Sequence, residues 1–509
     1  MNKGKICLSV CAETAADFIE NVNRAKSLAD VIELRFDCLK TGELEKIWSE
    51  IGNFRQNYKG FLLATFRSKE QGGKRELTFP EREEFWLHSH IFESVDWADL
   101  ELDFPEEKIN RLWGKAFDKV IKSFHDFEKV PSDITEIYKR VAENSDLIKI
   151  AVQTDVITDA ILIWRLLAKA KSENKQIIPI AMGEAGKWTR ILGLAHGAFM
   201  TYAALESGKE TASGQISAQD LIETYRVKEL DEKTEIYGII GNPVSHSLSP
   251  YIHNAAFKFH NRNAVFVPFE VRNLDEFIKK FLRAETREID LNFKGFSVTI
   301  PHKQAIIKYL DSVDETAKAI GAVNTVKIAD GKLYGFNTDA RGFIEPLKMA
   351  FGDLENARVG VLGNGGAARA AIYALHNAGA EVIVYARNIE NAKSLGNEFQ
   401  VEIKKLNNHN STFDVLDVLV NATPLGTRGS LEAETPVSAE QIKNVHLAYD
   451  LVYNPSETRF LREAKSAGVP TLGGLSMLIT QAVAQFQIWT NLDAPTEEMR
   501  QIALSKLQS

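Results

Sequence analysis

The run Leu147-Ile148-Lys149-Ile150-Ala151-Val152 has the composition of a buried β-strand and carries one lysine at its centre. Eight runs of this kind lie in the first 227 residues, and longer amphipathic stretches separate them. Strands that alternate with helices indicate a parallel sheet, and eight repeats in roughly 220 residues predict a (β/α)8 TIM barrel. The predicted strands are 5–10, 31–36, 61–66, 97–102, 119–124, 147–152, 177–181 and 198–203.

The composition limits what kind of protein this is. A length of 509 residues exceeds what one core usually serves, so two or three domains are expected. A net charge of -8 offers no basic surface for nucleic acid, so we expect small-molecule substrates. No apolar run approaches the ~20 residues that span a membrane, and 6–12 is too short for the core of a signal peptide.

The cysteines add an expectation about the compartment. Cys7, Cys11 and Cys38 are the three cysteines of the chain, and their spacing matches neither a CxxC pair nor a zinc site. We therefore expect a reducing, cytoplasmic compartment and no bound metal.

Charged side chains lie at the carboxyl ends of the predicted strands. Glu33 and Arg35 share one face of the second strand, Arg67 ends the third, His125 ends the fifth, and Arg190 follows the seventh. In a (β/α)8 barrel these ends form one rim, so the side chains are predicted to converge there. Two alternatives stay open: Glu33 and Arg35 could form a structural ion pair, and His125 could cap a turn.

Lys149 is the least ordinary of these residues. A buried ammonium costs several kcal/mol unless the amine becomes neutral, and a neutral amine in a pocket attacks carbonyl groups to form a Schiff base. An imine acidifies the neighbouring C–H bond, so that His125, with a pKa expected near neutrality, could remove that proton and drive elimination of water. The alternative is a structural lysine paired with Glu33 or Glu101.

These residues resemble the type I 3-dehydroquinate dehydratases. The resemblance covers nearly all of the first domain through the motifs 33–35, 65–67 with 72–73, 124–127, 149–151, 182–190 and 214–215. It implies that Lys149 forms the imine, that His125 is the general acid and base, and that Arg190 grips the substrate carboxylate. The remaining pocket residues would be Glu33, Arg35, Arg67, Met182, Thr211 and Gln215. Gln71 and Thr211 depart from the bacterial pattern, which often has Glu and Ser at these positions.

A boundary follows the last barrel repeat. Ser217-Ala218-Gln219-Asp220 resembles a capping box that opens a helix ending near Val227. The charged segment 228–234 then precedes a new strand, and we interpret it as a short linker.

The second half contains a separate polar set. Ser247 and Ser249 precede a helix that Pro250 would open, so Ser249 could also serve as its N-cap. Lys303 is predicted in the first turn of a helix that begins at Pro301, where a cation opposes the helix dipole, and this suggests a functional role. Asp339 could be the N-cap of the next helix.

A glycine-rich turn follows in Val359-Gly360-Val361-Leu362-Gly363-Asn364-Gly365-Gly366-Ala367-Ala368-Arg369. A GxGxxA pattern between a strand and a helix, here 370–377, is typical of dinucleotide binding. The next predicted strand, 381–385, is followed by Arg387 rather than by an acidic residue. Arg387 suits the 2′-phosphate of NADP, although it could be a surface arginine beside an NAD site.

From about residue 235 onward, these motifs resemble shikimate dehydrogenase, together with 421–426, 450–453 and 473–481. The resemblance implies that Ser247 and Ser249 bind the substrate carboxylate and that Lys303 and Asp339 form the catalytic pair. It assigns the ring oxygens to Thr299, Asn324 and Gln481. The implied NADP contacts are Gly363, Asn364, Gly365, Gly366, Ala367, Arg387, Asn388, Thr423, Leu451 and Gly474. The departures are Ser297, Ala386, Asn388 and Asn391, and they could weaken the preference for NADP.

The sequence therefore predicts an α/β protein with two consecutive activities. Dehydration of 3-dehydroquinate would be followed by NADPH-dependent reduction of 3-dehydroshikimate to shikimate. The predicted domains are 1–227 for the dehydratase barrel, 235–341 with 475–509 for shikimate binding, and 342–474 for a Rossmann NADP domain. Two alternatives are a catabolic quinate dehydrogenase that uses NAD, and a transcriptional sensor that has kept its ligand pockets.

Overall fold

The computed structural model describes residues 2–87, 91, 94–104, 117–143, 145, 147–206, 208–406 and 413–508. The chain forms two compact units, one made of residues 1–236 with 263–292 and the other of residues 237–262 with 293–509. Among the described residues no helix combines the length and the apolar character that crossing a bilayer requires.

The first unit is built on eight parallel strands in barrel order. They are β1 (Lys5–Val10), β2 (Val31–Arg35), β3 (Phe61–Thr65), β4 (Trp97–Glu101), β5 (Lys119–Asp126), β6 (Leu147–Gln153), β7 (Gln176–Met182) and β8 (Met200–Ala204). Each pairs in parallel with the next from β1 to β7, and β8 pairs with β1. The Phe199 amide donates to the Ile177 carbonyl at 2.8 Å between β7 and β8. The predicted (β/α)8 architecture is confirmed, with strand ends shifted by at most two residues.

Among the described residues, α-helices follow six of the eight strands of this unit. They are α1 (Ala15–Ala25), α2 (Trp48–Asn57), α3 (Phe79–Leu87), α4 (Ile134–Ala142), α5 (Ala160–Ser172) and α6 (Lys187–Leu192). Short β9 (Ile216–Ser217) pairs with β8, and the Ser217 hydroxyl accepts a hydrogen bond from the Asp220 amide at 3.1 Å. The predicted cap is therefore present, although the helix after it is a single π-type turn, Asp220–Thr224.

The first unit also contains a segment from the second half of the chain. It comprises β11 (Ala264–Glu270), α8 (Leu274–Phe277) and the π-type turn Ile278–Leu282. The Trp188 ring of α6 packs against Phe269 and Phe281, with centroids 6.4 and 5.9 Å apart. The Arg226 guanidinium donates to the Ala264 carbonyl at 2.9 Å. Because of this packing, the two compact units have different boundaries from the predicted domains. The predicted domain boundaries remain a proposal.

The predicted linker is folded against the barrel. The Asn2 amide group donates to the Val227 and Leu230 carbonyls at 2.8 and 2.9 Å, and the Lys228 ammonium pairs with Asp30 at 2.6 Å. These contacts tie the segment after the last barrel turn to the amino-terminal side of β1.

The second unit has two sheets. The first sheet includes β10 (Glu235–Gly241), β12 (Phe293–Val298), β14 (Thr325–Ala329), β15 (Lys332–Phe336) and β13 (Ser312–Val313), in that spatial order. The second sheet is parallel throughout, in the order β18 (Glu402–Lys405), β17 (Glu381–Ala386), β16 (Arg358–Leu362), β19 (Leu416–Asn421), β20 (Val445–Asp450) and β21 (Thr471–Leu472). This parallel sheet is the predicted Rossmann part.

Three helices of the second unit begin at predicted site residues, namely Ser249, Asp339 and Gly366. The described helices of this unit are α7 (Ser249–Phe259), α9 (Glu315–Ile320), α10 (Asp339–Phe351), α11 (Gly366–Asn377), α12 (Ile389–Phe399), α13 (Arg459–Ser466), α14 (Leu475–Thr490) and α15 (Thr496–Gln508). Helices α10 and α14 cross closely at Gly342, where a Cβ would stand 2.8 Å from the Gln481 Cβ. The small residue is required because a longer side chain would push the two helices apart.

One local prediction and one alternative in this unit are not met. Lys303 does not lie in a helix, because residues 299–304 form turns before the 3-10 helix Ala305–Tyr309, and the Lys303 carbonyl accepts instead from the Val323 amide at 2.7 Å. Asp339 is not an N-cap, since α10 begins at Asp339 itself and Asn337 accepts from its amide at 3.0 Å.

The interpretation of Ser249 as an N-cap is also not met. Helix α7 begins at Ser249, and Leu248 occupies the cap position without a side-chain hydrogen bond. The Ser247 hydroxyl accepts from the Ser249 amide at 3.2 Å.

The cysteines differ from expectation as well. Cys11 and Cys38 form a disulfide, with Cα atoms 5.4 Å apart, while Cys7 is a free and buried thiol. The spacing of 27 residues gives no signal of this pairing, because the two cysteines meet only once β1 and β2 lie side by side.

Candidate active sites

A cavity opens at the carboxyl ends of the barrel strands. The first-half residues predicted for the site all line it, namely Glu33, Arg35, Arg67, His125, Lys149, Met182, Arg190, Thr211 and Gln215. Ser9, Phe127 and Tyr202 line it too, although the sequence pattern assigns them no role. The convergence expected from the strand pattern is therefore observed.

Lys149 is buried and paired. Its ammonium lies 2.8 Å from the Asp99 carboxylate and 3.7 Å from Glu33, and it donates to the Tyr202 hydroxyl at 3.0 Å. It also stands 4.1 Å from the centre of the Tyr202 ring. The sequence predicts a neutral amine or a pair with Glu33 or Glu101, but the nearest carboxylate belongs to Asp99. A protonated Lys149 must lose its proton before its nitrogen can attack a carbonyl.

Asp99 serves two cations at once. Its second oxygen accepts from the Ser123 hydroxyl at 2.6 Å and lies 2.9 Å from the Arg67 guanidinium. Burial alone would raise the pKa of Asp99, yet the charges of Arg67 and Lys149 hold that pKa well below its usual range. On the same face of β4, burial raises the pKa of Glu101 to about 7. Alternation along β4 places both carboxyls inward, a signal from which Asp99 could have been found.

His125 faces the cavity without a hydrogen-bonding partner. Both ring nitrogens are buried and unpaired among the described residues. Burial, together with the positive charges of Arg67 and Lys149, lowers the pKa of His125 well below its ordinary value, which corrects the expectation of a pKa near neutrality. Its ring stacks on Phe127 at 6.0 Å, and Phe127 covers Gly72, where a Cβ would meet the ring at 2.0 Å. The imidazole is therefore neutral and available as a base.

The turn after β5 is capped by the neighbouring aspartate. The Asp126 carboxylate accepts from the Glu128 and Lys129 amides at 2.9 and 3.0 Å. The alternative in which His125 caps the turn is not met, and the imidazole remains directed into the cavity.

Two arginines of the cavity differ in their partners. Arg35 is held by Asp37, whose oxygens accept from Nε and Nη2 at 2.8 Å each, so its ion pair is with Asp37 rather than with Glu33. Arg190 has only one hydrogen bond among the described residues, from Nη2 to the Ser213 carbonyl at 3.3 Å, and its buried Nε and Nη1 are unsatisfied. Burial lowers the pKa of Arg190 to about 10. A buried guanidinium with free donors is arranged to receive an anion.

The remaining polar residues hold one another in place. Glu33 accepts from the Ser9 hydroxyl at 2.5 Å and from the Thr65 hydroxyl at 2.9 Å. The Gln215 side chain accepts from the Thr211 amide at 2.8 Å and donates back to its hydroxyl at 3.1 Å. These pairs fix the walls around Lys149 and Arg190.

A second site lies in the second unit. The Lys303 ammonium is 2.5 Å from one oxygen of Asp339, and the other oxygen accepts from the Asn324 amide group at 2.7 Å. Asn324 also donates to the Thr338 hydroxyl at 2.9 Å and accepts from the Thr338 amide at 2.8 Å. The carboxylate of Asp339 is therefore fixed by an amide and aimed at the lysine.

A glutamine that the sequence pattern does not single out supports this site. Gln485 of α14 is buried and donates to the Asn324 carbonyl at 3.2 Å and to the Thr325 hydroxyl at 3.0 Å. Its oxygen accepts from the Ser297 hydroxyl at 2.9 Å and lies 3.3 Å from His253. Burial lowers the pKa of His253 to about 3. Gln485 lies one helical turn after Gln481, and nothing in the sequence distinguishes it from an ordinary buried residue.

The predicted carboxylate-binding serines meet a tyrosine. Tyr453 is partly exposed. Its hydroxyl is hydrogen-bonded to the Ser247 side chain and to the Leu248 backbone, and desolvation raises its pKa. Thr299 lies against Gly241, where a Cβ would come within 2.4 Å of its methyl group. Gln481 is buried, and its amide group donates to the Leu478 carbonyl at 2.9 Å.

The glycine-rich turn lies next to Lys303. Gly363 has a φ of +108°, which favours glycine, and an added Cβ at Gly365 would meet nothing within 4 Å. A Cβ at Gly366 would stand 3.2 Å from Lys303 Cδ. Gly366 and Ala367 open α11, so the free N–H groups of its first turn lie beside Lys303. Open space at a helix amino terminus fits the pyrophosphate of a dinucleotide.

The end of β17 presents the predicted phosphate-binding residues. Arg387 and Asn388 are exposed, and the Asn388 oxygen caps α12 by accepting from the Glu390 and Asn391 amides at 3.0 and 3.4 Å. The Asn364 amide group donates to the Asn391 carbonyl at 3.2 Å. The glycine-rich turn is thereby tied to the start of α12.

A buried pair, Asn421 and Asp450, lies at the carboxyl ends of β19 and β20 in the parallel sheet. The Asn421 amide group donates to Asp450 at 3.0 Å, while its oxygen accepts from the Thr423 hydroxyl at 2.6 Å. Burial raises the pKa of Asp450 to about 6. The Leu451 amide donates to the Asn421 carbonyl at 3.0 Å, and Gly474 leaves no room for a Cβ, which would lie 2.5 Å from the Leu451 carbonyl. Thr423, Leu451 and Gly474 are thus held at one edge.

Comparisons with known proteins agree with these two sites. Residues 6–232 match the family model of type I 3-dehydroquinase. Residues 239–326 match the shikimate dehydrogenase substrate binding domain, 345–443 match shikimate/quinate 5-dehydrogenase, and 474–504 match the shikimate 5′-dehydrogenase C-terminal domain. These matches define a fusion of a lyase with an oxidoreductase.

Individual relatives show the same arrangement. The chloroplastic bifunctional 3-dehydroquinate dehydratase/shikimate dehydrogenase of Arabidopsis thaliana is 35% identical over 527 residues, which cover 98% of this chain and 84% of the relative. The shikimate dehydrogenase (NADP(+)) of Caldanaerobacter subterraneus is 43% identical over 268 residues, 51% of this chain and 93% of the relative. A crystal structure of a shikimate dehydrogenase in complex with NADP+ superposes with a TM-score of 0.50 at 38% identity, covering 55% of this chain and 98% of that one. The chain belongs to the family of bifunctional 3-dehydroquinate dehydratase/shikimate dehydrogenases.

The substitution Asp99→Asn tests the buried charge balance of the first site. A neutral amide cannot compensate Lys149 and Arg67, so we expect the first unit to lose about 3 kcal/mol of unfolding free energy and dehydratase kcat to fall at least about tenfold because the amine loses its fixed position. Urea denaturation, monitored through the loss of dehydratase activity, measures the change in unfolding free energy. The control is Glu206→Gln, which breaks an exposed pair with Arg24 and should change stability by less than about 1 kcal/mol. Equal behaviour of the two variants would contradict the role given to Asp99.

Proposed function

We propose that the chain catalyses two consecutive steps of the shikimate pathway through separate sites. The first site dehydrates 3-dehydroquinate to 3-dehydroshikimate through an imine on Lys149, and the second reduces that product to shikimate with NADPH. The observation that carries the first assignment is a buried lysine in one cavity with an unpaired imidazole and an arginine that has free donors. The second rests on the Lys303–Asp339 pair beside the glycine-rich turn.

Dehydration begins with proton removal from Lys149. Neutral His125 lines the same cavity with both ring nitrogens unpaired among the described residues and can accept that proton, whereas both oxygens of Asp99 are already engaged by Lys149, Arg67 and Ser123. The freed nitrogen attacks the ketone carbon, and His125 returns its proton to the carbonyl oxygen, which leaves as water and gives the protonated imine. His125 then takes the proton from the carbon next to the imine and returns one to the departing hydroxyl. Water hydrolyses the imine and restores Lys149.

Arg190 would fix the orientation of the substrate. Its unpaired Nε and Nη1 can donate two hydrogen bonds to a carboxylate, which also neutralises the buried charge. Such binding holds the ketone toward Lys149, and the positions of Glu33, Arg35, Met182 and Gln215 around the cavity would contact the ring. Thr211 would act mainly through Gln215, since their side chains bond each other.

The second step needs a proton and a hydride. Lys303 would donate a proton to the ketone oxygen, with Asp339 and Asn324 holding the ammonium in line. When bound, NADPH would supply the hydride for this reduction. Ser247, Ser249 and Tyr453 would receive the substrate carboxylate, while Thr299, Asn324 and Gln481 would hold the ring oxygens.

The residues present fit NADP. The strand–turn–helix around Gly363 and Gly366, with open space at Gly365, suits the pyrophosphate, and exposed Arg387 can reach the 2′-phosphate. Asn364, Ala367 and Asn388 border this turn, and Thr423, Leu451 and Gly474 would line the nicotinamide end. The rival in which quinate and NAD are used is not favoured, because the named dehydrogenase relatives are NADP(+) enzymes. A regulatory sensor is not favoured either, since both catalytic sets are complete.

The proposal also covers the class of substrate and the cellular location. The substrates would be small acids, for which Arg190 and the serines of the second site supply the carboxylate contacts, and we propose a cytoplasmic location.

Borohydride trapping tests the imine directly. Reduction of the full chain in the presence of 3-dehydroquinate should fix the label on Lys149, and Lys149→Met should lower dehydratase kcat by about three orders of magnitude or more because the nucleophile is lost. Peptide mass mapping locates the label. Lys122→Met on neighbouring β5 is the control and should keep both labelling and turnover. Labelling of another lysine would refute the assignment.

The pH profile of dehydratase kcat/KM tests the base. His125 must be neutral in the free enzyme, and its pKa lies well below 6.5, so kcat/KM should stay level from about pH 8 down to about pH 6.5 and fall only in more acidic buffer. Dehydrogenase activity in the same samples monitors the integrity of the chain. The pKa of Glu101 is raised to about 7. A fall in kcat/KM with a midpoint near pH 7 that disappears in Glu101→Gln would therefore be assigned to Glu101 and would contradict the role of His125.

Replacing Lys303 with methionine tests the second site. In shikimate oxidation, Lys303 would accept the proton that it donates in reduction, so its loss should lower kcat by about 10² to 10⁴, the usual contribution of general acid–base catalysis. The KM for shikimate should change far less, because the carboxylate contacts are kept. NADPH absorbance measures the rate, and Lys308→Met, an exposed lysine five residues further on, is the control. Dehydratase activity of both variants should equal that of the wild type, and a normal kcat in Lys303→Met would overturn the assignment.

A further inference from the structure

The Cys11–Cys38 disulfide lies at the rim of the first active site. Cys11 directly follows β1, and Cys38 ends the 3-10 turn Phe36–Cys38 that directly follows β2. Both strands end at the mouth of the cavity, since Ser9 and Arg35 line it. The disulfide therefore joins two neighbouring loops at the rim from which substrate is bound.

The residue before Cys38 holds two parts of the site. Asp37 is fully buried and accepts from Arg35 Nε and Nη2 at 2.8 Å each. Its carboxylate also accepts from the Lys74 amide at 3.0 Å, and Arg35 Nη2 donates to the Gly72 carbonyl at 3.3 Å. The position of the Phe36–Cys38 turn thus sets both a cavity arginine and the loop 72–74.

The turn is held differently at its two ends. Phe36 anchors the beginning, because its ring packs between Phe18 and Trp48 at centroid distances of 5.9 and 5.3 Å. Beyond it, the Leu39 amide donates to the Phe36 carbonyl at 3.3 Å, and the Lys40 amide donates to the Glu13 carbonyl at 3.0 Å. The disulfide is the covalent restraint on the end that carries Asp37.

Thiol–disulfide exchange can open this restraint. Cys11 is partly exposed and Cys38 is 7% exposed, so an incoming thiolate meets the Cys11 sulfur and Cys38 departs as the leaving thiolate. The second thiol of a dithiol then attacks the mixed disulfide. The protein gains two electrons and two protons, and the dithiol becomes a disulfide. Cys7 takes no part, because it is fully buried and burial raises its pKa.

We propose that Cys11 and Cys38 form a thiol–disulfide exchange site for dithiol reductants, and that its oxidation state sets the affinity of the dehydratase site for 3-dehydroquinate. The oxidised form holds Asp37, Arg35 and the 72–74 loop in the binding arrangement. Reduction releases the turn and weakens substrate binding, while the chemistry at Lys149 is unchanged. In a reducing compartment such a pair switches rather than remaining a permanent brace. The inference rests on the binding role of Arg35 proposed above.

The test uses the full-length wild-type chain, whose dehydrogenase site serves as an internal reference. Samples are equilibrated with reduced or with oxidised dithiothreitol, and the steady-state constants of both activities are measured on each sample. Reduction should raise the KM for 3-dehydroquinate by about three- to tenfold with little change in kcat, because an unrestrained loop adds to the ordering cost of binding. The dehydrogenase constants should not change.

Variants distinguish failure of the exchange site from failure of the binding role of Arg35. Cys11→Ser and Cys38→Ser should each show the raised KM of the reduced protein in both reagents. Equal KM values for reduced and oxidised wild type, or three titratable thiols after oxidation of a chain with three cysteines, would overturn the proposal. If Arg35→Gln raises the KM but the redox treatment does not, only the exchange site is wrong. If Arg35→Gln has no effect, the binding role of Arg35 is wrong and the proposal falls with it.

Discussion

The first active site depends on balancing positive charge where water is excluded. Lys149 and Arg67 are both buried at the mouth of the barrel, and one carboxylate, Asp99, contacts both cations. Two uncompensated cations at this depth would cost several kcal/mol, so Asp99 and its Ser123 hydrogen bond are conditions for the fold as well as for the site. Arg190 is the exception, because its buried Nε and Nη1 have no hydrogen-bond partner among the described residues. The proposed substrate carboxylate would complete the charge balance there.

The same charges decide which group can act as a base. Near Lys149 and Arg67, a protonated imidazole is unfavourable, so His125 remains neutral and can accept protons. In the second site the arrangement is simpler. Lys303 has the carboxylate of Asp339 as its partner, which an asparagine holds in place, and a glycine allows the dinucleotide turn to reach the lysine stem. In both sites, therefore, a fixed aspartate sets the position of a lysine.

Much of the fold and part of the two sites can be predicted from the sequence, because the periodicity of apolar residues and the spacing of motifs are local signals. Alternation along the strands predicts the eight barrel strands and the inward direction of Glu33 and Arg35, and the strand–turn–helix pattern around Gly363 predicts α11. Partners contributed by distant segments cannot be read in this way. Asp99 reaches Lys149 from two strands away, and Gln485 meets Asn324 only after α14 packs against it. The Cys11–Cys38 pair depends likewise on the pairing of β1 with β2.

Prediction of local conformation fails where a distant hydrogen bond competes with helix formation. Pro301 suits a helix start and so predicts a helix at Lys303, but the Lys303 carbonyl is taken by Val323, and the chain turns instead. The sequence also misses the nearest partner of Lys149, since the burial of this lysine is visible in the sequence and the Asp99 carboxylate at 2.8 Å is not. The most direct measurement is 15N NMR of the full chain labelled at lysine Nζ, with the Lys149 signal assigned by its loss in Lys149→Met. We expect a protonated, carboxylate-paired nitrogen near neutral pH that converts to a substrate-linked nitrogen when 3-dehydroquinate is added; a neutral amine in the free chain, or no change with substrate, would contradict the ion pair and the imine.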